Sequence, residues 1–183
     1  MLWTEIKNQY LMYRCYRRRL VRLPYPPLSV WIEPTNICNL RCIMCSRSFP
    51  PQREEGFMDD GLFRTIIDRF GGAVPEISLH FAGEPMMHPR LDELIAAAAQ
   101  NGIRVVIHTN ATLLSEELSR RIITAGIHTL VISFDALTPS QYESMRIGAS
   151  YEKTLRNIRT FLEVKKSSSR KNLFGKSRPF TTI

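Results

Sequence analysis

The chain has 183 residues and a formal net charge of +8, which suits one domain but is short for a closed eight-stranded barrel of about 250 residues. The basic residues lie at the two ends, because residues 1–25 hold six Lys/Arg against one Glu and residues 164–183 hold six against none. A nucleic-acid-binding domain is expected to have its basic patch on the folded face, so this distribution argues against that class and leaves contact with an acidic partner or anionic lipid open. No apolar run approaches the roughly 18 residues of a membrane span and no signal peptide is indicated, so a cytoplasmic protein without a transmembrane segment is expected.

The first predicted element is a basic amphipathic helix over residues 3–21, which ends in Arg17-Arg18-Arg19. The prolines of Leu23-Pro24-Tyr25-Pro26-Pro27 break it, because proline lacks an amide donor and restrains its predecessor to extended geometry. Such a helix can lie on a membrane surface, but packing against the rest of the domain is the commoner use. Residues 1–27 are therefore interpreted as an N-terminal basic helix with a proline-rich linker, and Cys15 as a packed thiol.

Strand and helix patterns alternate along residues 28–164, which predicts an α/β domain with a parallel sheet and right-handed crossovers. Residues 165–183 contain no acidic residue and little periodicity, so a disordered basic tail is expected there. The predicted strands are residues 28–35, 76–81, 103–109 and 129–135, and the predicted helices are residues 61–70, 91–101, 115–125, 139–145 and 151–164.

Three of the four cysteines, Cys38, Cys42 and Cys45, lie within eight residues directly after the first strand. Thiolates at this spacing can turn toward a common point, and soft sulfur ligands select zinc or an iron–sulfur cluster. Three thiolates leave one iron of a four-iron cubane open to a small molecule, whereas structural zinc needs a fourth ligand, for which His88 or a partner is the candidate. Disulfides are disfavoured by the short separations and the absence of a secretory segment.

Polar residues follow the other three predicted strands where each strand ends. Gly83 and Glu84 follow the second strand, Asn110 the third, and Ser133 and Asp135 lie at the end of the fourth. Ligands of parallel sheets sit at the carboxyl ends of the strands, so these residues and the cysteine loop predict one shared site. Capping or turn formation is the alternative role for the Asn, Ser and Asp.

Two motifs resemble those of the radical S-adenosylmethionine (radical SAM) enzymes. Cys38-x3-Cys42-x2-Cys45, preceded by Glu33-Pro34-Thr35-Asn36, is similar to their cluster loop. Phe81-Ala82-Gly83-Glu84-Pro85 is similar to their Gly-Gly-Glu-Pro motif, with Ala82 in the place of the first glycine. The resemblance covers roughly residues 30–163 and is nearest to members with an extra cysteine-rich (SPASM-type) C-terminal domain, which these residues lack.

The resemblance implies a fold, two cofactors and a reaction. The fold is an incomplete TIM-type barrel of about four parallel strand–helix units behind the N-terminal basic helix. The three cysteines would hold a 4Fe–4S cluster whose open iron binds SAM, and a donor such as flavodoxin or ferredoxin would reduce it. SAM would then be cleaved to a 5′-deoxyadenosyl radical that abstracts hydrogen from a peptide or small molecule, in peptide modification or cofactor biosynthesis.

The same resemblance implies roles for the polar strand ends. Gly83 and Glu84 would accept hydrogen bonds from the SAM ammonium group. Asn110 and Ser133 could bind its ribose hydroxyls or its carboxylate, and Asp135 could accept from a ribose hydroxyl or position the substrate. Arg146 is a further candidate for the carboxylate, with an exposed surface arginine as the alternative, and His88 is the histidine nearest to this site.

A second hypothesis is a non-catalytic α/β module that holds zinc or a permanent iron–sulfur cluster, and a third is nucleic-acid binding through the basic ends. The barrel itself is expected to be incomplete. The family core has six strand–helix units, whereas no strand pattern follows residue 164. The chain is therefore expected to be a truncated or split enzyme that leaves the edge of its fourth strand exposed and needs a partner chain to complete the barrel.

Overall fold

The computed structural model describes residues 2–48, 54–168 and 179–182. Every predicted helix is present, whereas the strands are shorter than their sequence patterns. The helices are α1 (Leu2–Arg17), α2 (Asp60–Phe70), α3 (Leu91–Gln100), α4 (Glu116–Ala125), α5 (Pro139–Met145) and α6 (Tyr151–Ser167). The strands are β1 (Val30–Trp31), β2 (Arg41–Cys42), β3 (Glu76–Ser78), β4 (Arg104–Thr109), β5 (Thr129–Ile132), β6 (Arg146–Ile147) and β7 (Phe180–Thr182). Short 3-10 helices cover Ser46–Ser48 and Pro85–Met87.

Five strands form one parallel sheet in the order β1-β3-β4-β5-β7. Helices α3 and α4 connect β3 to β4 and β4 to β5, which is the crossover arrangement that the sequence predicts. The described strands leave the sheet open between β1 and β7. The α/β class and the partial TIM-type barrel are therefore confirmed.

The fifth strand is where the prediction was wrong, because no strand was expected after residue 164. β7 pairs in parallel with β5, placing Phe180 beside Thr129 and Thr182 beside Val131. Lys165 Nζ also donates a hydrogen bond to Thr181 Oγ1 at 3.0 Å. The edge of β5 is thus covered rather than exposed. Three residues are too short for a periodic pattern, and residues 169–178 of the expected tail lie outside the described residues.

Capping residues fix where the helices begin and end. The side chain of Asp59 accepts the Leu62 amide hydrogen at 2.8 Å and starts α2, while Ser115 accepts from Leu118 and starts α4. Gly126 ends α4 at φ +97°, a left-handed conformation that glycine adopts without strain.

The core lies between the sheet and helices α2, α3, α4 and α6. Alternate side chains of β4 are buried, including Val105 and Ile107, and helix side chains such as Ile95, Ile122 and Phe161 pack in the same cluster. This packing holds the carboxyl ends of β3, β4 and β5 at one edge of the sheet. Within the described ranges, no helix is both long enough and apolar enough to cross a membrane.

A second, two-stranded sheet was not predicted. β2 pairs antiparallel with β6, so that Arg41 faces Ile147 and Cys42 faces Arg146. The Ile43 amide also donates to the Met145 carbonyl at 3.0 Å. This pairing ties the cysteine loop to the turn between α5 and α6, about one hundred residues further along the chain.

Candidate active site

A cavity of about 250 Å³ lies at the carboxyl ends of β3, β4 and β5. The three clustered cysteines line it, together with every polar strand-end residue that the sequence singled out. Arg146 and two histidines also line it. The residues concerned are Cys38, Cys42, Cys45, His80, Gly83, Glu84, His108, Asn110, Ser133, Asp135 and Arg146.

The three thiols of the loop are not joined in disulfides and are partly buried. Burial raises the pKa of Cys38 above its usual value, and burial likewise raises the pKa of Cys42, where the nearby Arg146 cation opposes the shift. A raised thiol pKa favours the neutral form, so binding of a metal centre to these side chains would release protons. The prediction that Cys15 stands apart is confirmed, because it is buried within α1 and does not line the cavity.

Gly83 is the residue against which the cysteine loop packs. A Cβ atom at this position would lie 2.1 Å from the Thr35 carbonyl oxygen and 2.8 Å from that of Ile37. The next amide, Glu84 N–H, donates to the same Ile37 oxygen at 2.8 Å. The space of its missing side chain is filled by the backbone just before Cys38, so a glycine at this position allows the loop to approach closely.

The Glu84 carboxylate joins the ends of two strands. It is 3% exposed, and its Oε1 accepts hydrogen bonds from Thr109 Oγ1 at 2.7 Å and Met86 N at 3.1 Å. Its Oε2 accepts from Asn110 N at 2.8 Å. Burial raises the pKa of Glu84, and these donors oppose the shift. An ionised carboxylate has about four acceptor positions, so this one keeps about one for a ligand.

The Asn110 side chain lies inside a polar network around the cysteine loop. Its Nδ2 donates to Asn39 Oδ1 at 3.2 Å and faces the Cys38 sulfur at 4.0 Å. Its Oδ1 accepts from the Thr112 amide and hydroxyl at 2.9 and 2.7 Å. Asn39 in turn donates to Thr112 Oγ1 at 2.8 Å. The amide therefore holds the loop around Cys38 by direct bonds.

Asn157, which the sequence interpretation missed, supports this network from α6. Its Nδ2 donates to the carbonyls of Ala111 and Thr112, both at 3.0 Å. Ala111 has φ +58°, a left-handed conformation that is uncommon for a residue with a Cβ atom. Two hydrogen bonds from one side chain hold the turn after β4 in that shape. Nothing in the local sequence indicates that a residue of α6 reaches this turn.

Arg146 and Asp135 form an ion pair, and both residues line the cavity. The Arg146 side chain is 10% exposed, so the alternative of a solvated surface arginine is wrong. The Arg146 guanidinium lies 5.8 Å from the centre of the Tyr142 ring. The Arg146 backbone pairs with that of Cys42 across the two-stranded sheet. The Arg146 Nε atom is buried and has no hydrogen-bond partner among the described residues.

The histidines are arranged differently from the prediction. His88 is buried, packs edge-on against Phe57 at 5.5 Å and does not line the cavity, so its proximity to the site was wrongly predicted. His80 and His108 line the cavity instead, with stacked rings 3.9 Å apart. Burial, with a smaller effect of His108, lowers the pKa of His80 to about 4. His108 alternates with the buried Ile107 and Thr109 of β4, which is a pattern that could have found it. His80 follows three consecutive buried residues and has no such mark.

The donor set suits a cluster that the three thiols hold on separate irons. In the described part of the chain, no three His, Cys, Asp or Glu side chains are grouped tightly enough to hold a single metal ion. Thiolates that bind different irons do not have to meet at one ion. His88, the sequence candidate for a fourth zinc ligand, packs against Phe57 and does not line the cavity.

Fold and cavity together define a parallel α/β protein with a three-thiol loop and a polar cavity at the carboxyl edge of its sheet. The family model described as the Radical SAM superfamily matches residues 32–174, and the chain belongs to that superfamily. Membership confirms the resemblance drawn from the two motifs. The superfamily implies a 4Fe–4S cluster and SAM.

Individual relatives have diverse names. The tungsten-containing aldehyde ferredoxin oxidoreductase cofactor-modifying protein of Pyrococcus furiosus is 34% identical over 115 residues, 61% of this chain and 32% of that protein. The dTDP-4-amino-4,6-dideoxy-D-glucose ammonia-lyase of Streptomyces venezuelae is 30% identical over 152 residues, 80% of this chain and 31% of that protein.

A solved structure gives the same fold. Streptococcus suis SuiB bound to S-adenosylmethionine has a TM-score of 0.65 and 22% identity, over 85% of this chain and 35% of that one. SuiB bound to its precursor peptide SuiA gives 0.66. The chain spans about a third of the length of these relatives, so the similarity concerns their shared core.

Proposed function

We propose that this chain is the core of a radical SAM enzyme, in which Cys38, Cys42 and Cys45 hold three irons of a 4Fe–4S cluster. The observation that supports this most directly is the single cavity that joins these thiols to a buried carboxylate and a buried guanidinium. When bound, the cluster supplies the electron that cleaves SAM to methionine and a 5′-deoxyadenosyl radical, which abstracts a substrate hydrogen. The protein's part is to hold SAM against the cluster and to exclude groups that quench radicals.

Glu84 and Gly83 are proposed to bind the SAM ammonium group. The buried carboxylate of Glu84 keeps about one acceptor position after its three internal hydrogen bonds. Gly83 lines the cavity with peptide groups alone, because the space of its missing side chain is filled by the cysteine loop. An ammonium donor at this position would complete the hydrogen bonding of the carboxylate.

Other residues of the same cavity are proposed to bind the SAM carboxylate and ribose. Arg146 is buried, and its Nε has no hydrogen-bond partner among the described residues, so it has a donor left for a carboxylate. Asp135 holds the guanidinium in place through their ion pair. Ser133 and Asp135 remain our candidates for the ribose hydroxyls. Asn110 is proposed to act at the cluster, through the contact of its side chain with the Cys38 sulfur.

The partners are proposals of the same kind. We infer an electron donor of the flavodoxin or ferredoxin type, and a peptide or a cofactor precursor as substrate, because the relatives' names span both. A reducing cytoplasm would keep the three thiols and the cluster intact. β7 is an edge of the described sheet, and we propose that further strands, from a partner chain, pair there to complete the wall of the cavity.

The test is anaerobic reconstitution of the 183-residue chain with iron and sulfide. We expect roughly four irons and four sulfides per chain, and release of 5′-deoxyadenosine from SAM under dithionite. Stoichiometric zinc without iron in the purified protein would contradict the cluster, and a cluster that binds no SAM would contradict the assignment of the cavity. Multiple turnovers at about 1 per second or faster would show that no further strands are needed.

A further inference from the structure

Helix α1 presents an exposed face of aromatic and aliphatic side chains. Trp3, Ile6, Tyr10 and Tyr13 recur at intervals of three and four residues, which places them along one side of the helix. All four are exposed, Trp3 by 83%. We name these four residues the aromatic stripe. The helix buries the other side, where Asn8 and Cys15 are almost inaccessible to solvent.

Basic side chains flank the aromatic stripe. Lys7, Arg14 and Arg17 each follow a stripe residue by four positions, so each lies beside it on the helix surface. The guanidinium of Arg14 lies 5.8 Å from the centre of the Tyr10 ring. Residues 1–25 contain one acidic residue against six basic ones. The face is therefore apolar along its centre and positively charged along its side.

The surface continues past the end of the helix. Leu20, Val21 and Leu23 are exposed, Val21 to 96%. The exposed arginines Arg18, Arg19 and Arg22 are their neighbours in the chain. Exposed apolar side chains that form a continuous patch on a protein surface mark an interaction site. Here that patch has basic residues throughout.

We propose that α1 and residues 18–23 dock this domain on the surface of an anionic lipid bilayer. An interfacial helix has aromatic and aliphatic residues on one face and Lys or Arg around them, and the basic side chains gain from the negative surface potential. The helix lies in the plane of the interface and does not span the bilayer. This proposal is independent of the cofactor chemistry, because none of these residues lines the cavity.

Charge also distinguishes an anionic bilayer from two alternative partners, a second copy of the chain and nucleic acid. A second copy of the chain packed stripe to stripe would bring the basic flanks of two helices together, and like charges repel. Nucleic acid would use the basic side chains but would leave Ile6, Val21 and Leu23 without an apolar partner. Anionic lipid satisfies both the charges and the apolar centre.

The experiment measures vesicle binding by the full chain. Co-flotation is followed with vesicles of phosphatidylcholine and phosphatidylglycerol in equal amounts, with pure phosphatidylcholine vesicles for comparison. In a Trp31→Phe background Trp3 is the remaining tryptophan, so its emission reports on the stripe alone. We expect binding to the anionic vesicles, a blue shift of Trp3 emission, and loss of binding in high salt.

Paired variants isolate the two features. Lys7→Gln with Arg14→Gln should lower the partition coefficient by roughly 25-fold, about fivefold for each charge. Lys153→Gln with Lys166→Gln removes two exposed charges elsewhere and should leave it unchanged. Tyr10→Ser with Tyr13→Ser should abolish the binding, whereas Leu137→Ser, which removes a side chain that is 92% exposed elsewhere, should not.

Three results would overturn the proposal. One is absence of vesicle binding by a chain whose circular dichroism spectrum shows it to be folded. Another is equal binding by the charge variants and their controls, which would assign the affinity to the other basic end. The third is a dimer in sedimentation, or a complex with duplex DNA, that depends on Tyr10 and Tyr13 while vesicles stay unbound.

Discussion

Replacing Gly83 by alanine tests whether the cysteine loop docks as the structure shows. The added Cβ would lie 2.1 Å from the Thr35 carbonyl oxygen, where ordinary contacts begin at 3.4 Å, so one of the two must move by about 1.3 Å. The Thr35 and Ile37 oxygens cannot rotate away from the added Cβ, because they belong to the backbone. The shift would also break the hydrogen bond from Glu84 N to Ile37 O.

The cost follows from these two losses. Overpacking of a tight site costs about 1–3 kcal/mol, and backbone neighbours place this site at the upper end. A lost hydrogen bond adds about 1 kcal/mol. A chain of this size loses about 2–4 °C in Tm per kcal/mol. Gly83→Ala should therefore destabilise the fold by roughly 3–4 kcal/mol and lower Tm by roughly 6–16 °C.

The assay is thermal unfolding of the metal-free protein, followed by circular dichroism in the presence of a thiol reductant. Gly56→Ala is the matched control, because a Cβ there meets nothing within 4 Å and its φ is not left-handed. Its Tm should stay the same or rise slightly, since alanine restricts the unfolded chain. A Gly83→Ala protein that melts within about 2 °C of the wild type would refute the docking of the loop.

Other predictions concern the cavity itself. Cys42→Ala should abolish iron binding on anaerobic reconstitution, and Cys15→Ala should retain it, measured as iron per chain. Glu84→Gln should lower the free energy of unfolding by about 1–3 kcal/mol in denaturant titrations, because an NH2 group would face buried donors; unchanged stability would contradict the internal bonds of this carboxylate. Arg146→Gln should weaken SAM binding by tenfold or more in equilibrium dialysis, which corresponds to about 1.5–3 kcal/mol. His80 should make stability fall as pH drops from about 6.5 to about 4, because the unfolded state takes up the proton first, and His80→Gln should flatten this part of the Tm profile.

The sequence predicts most of the fold because periodic patterns extend over whole elements. The apolar residues of α2 and α4 recur with helical spacing, and their capping residues Asp59 and Ser115 mark where they begin. The parallel sheet follows from the alternation of strands and helices. β7 could not be found in this way, since three residues held by pairing with β5 leave no pattern of their own.

The position of the site was also predictable, because the carboxyl ends of parallel strands lie at one edge of the sheet. Glu84 and Asn110 are named by their position after β3 and β4, and both line the cavity. The position of a residue after a strand does not predict the hydrogen-bond partners of its side chain. Glu84 accepts a hydrogen bond from Thr109, and Asn110 donates one to Asn39. Many of the hydrogen bonds that these two side chains can form are therefore made within the protein.

The dependence of the loop on distant residues bears on how cluster and SAM would be coupled. Cys42 pairs with Arg146 across the two-stranded sheet, and Arg146 is our candidate for the SAM carboxylate. Cys38 faces Asn110, whose amide N–H is bound by Glu84, our candidate for the SAM ammonium. Arg146 is thus joined directly to one cysteine, Cys42, and Glu84 is joined to Cys38 through Asn110. Such short links would hold a bound cluster and a bound SAM in a fixed relative position, as transfer of an electron between them would require.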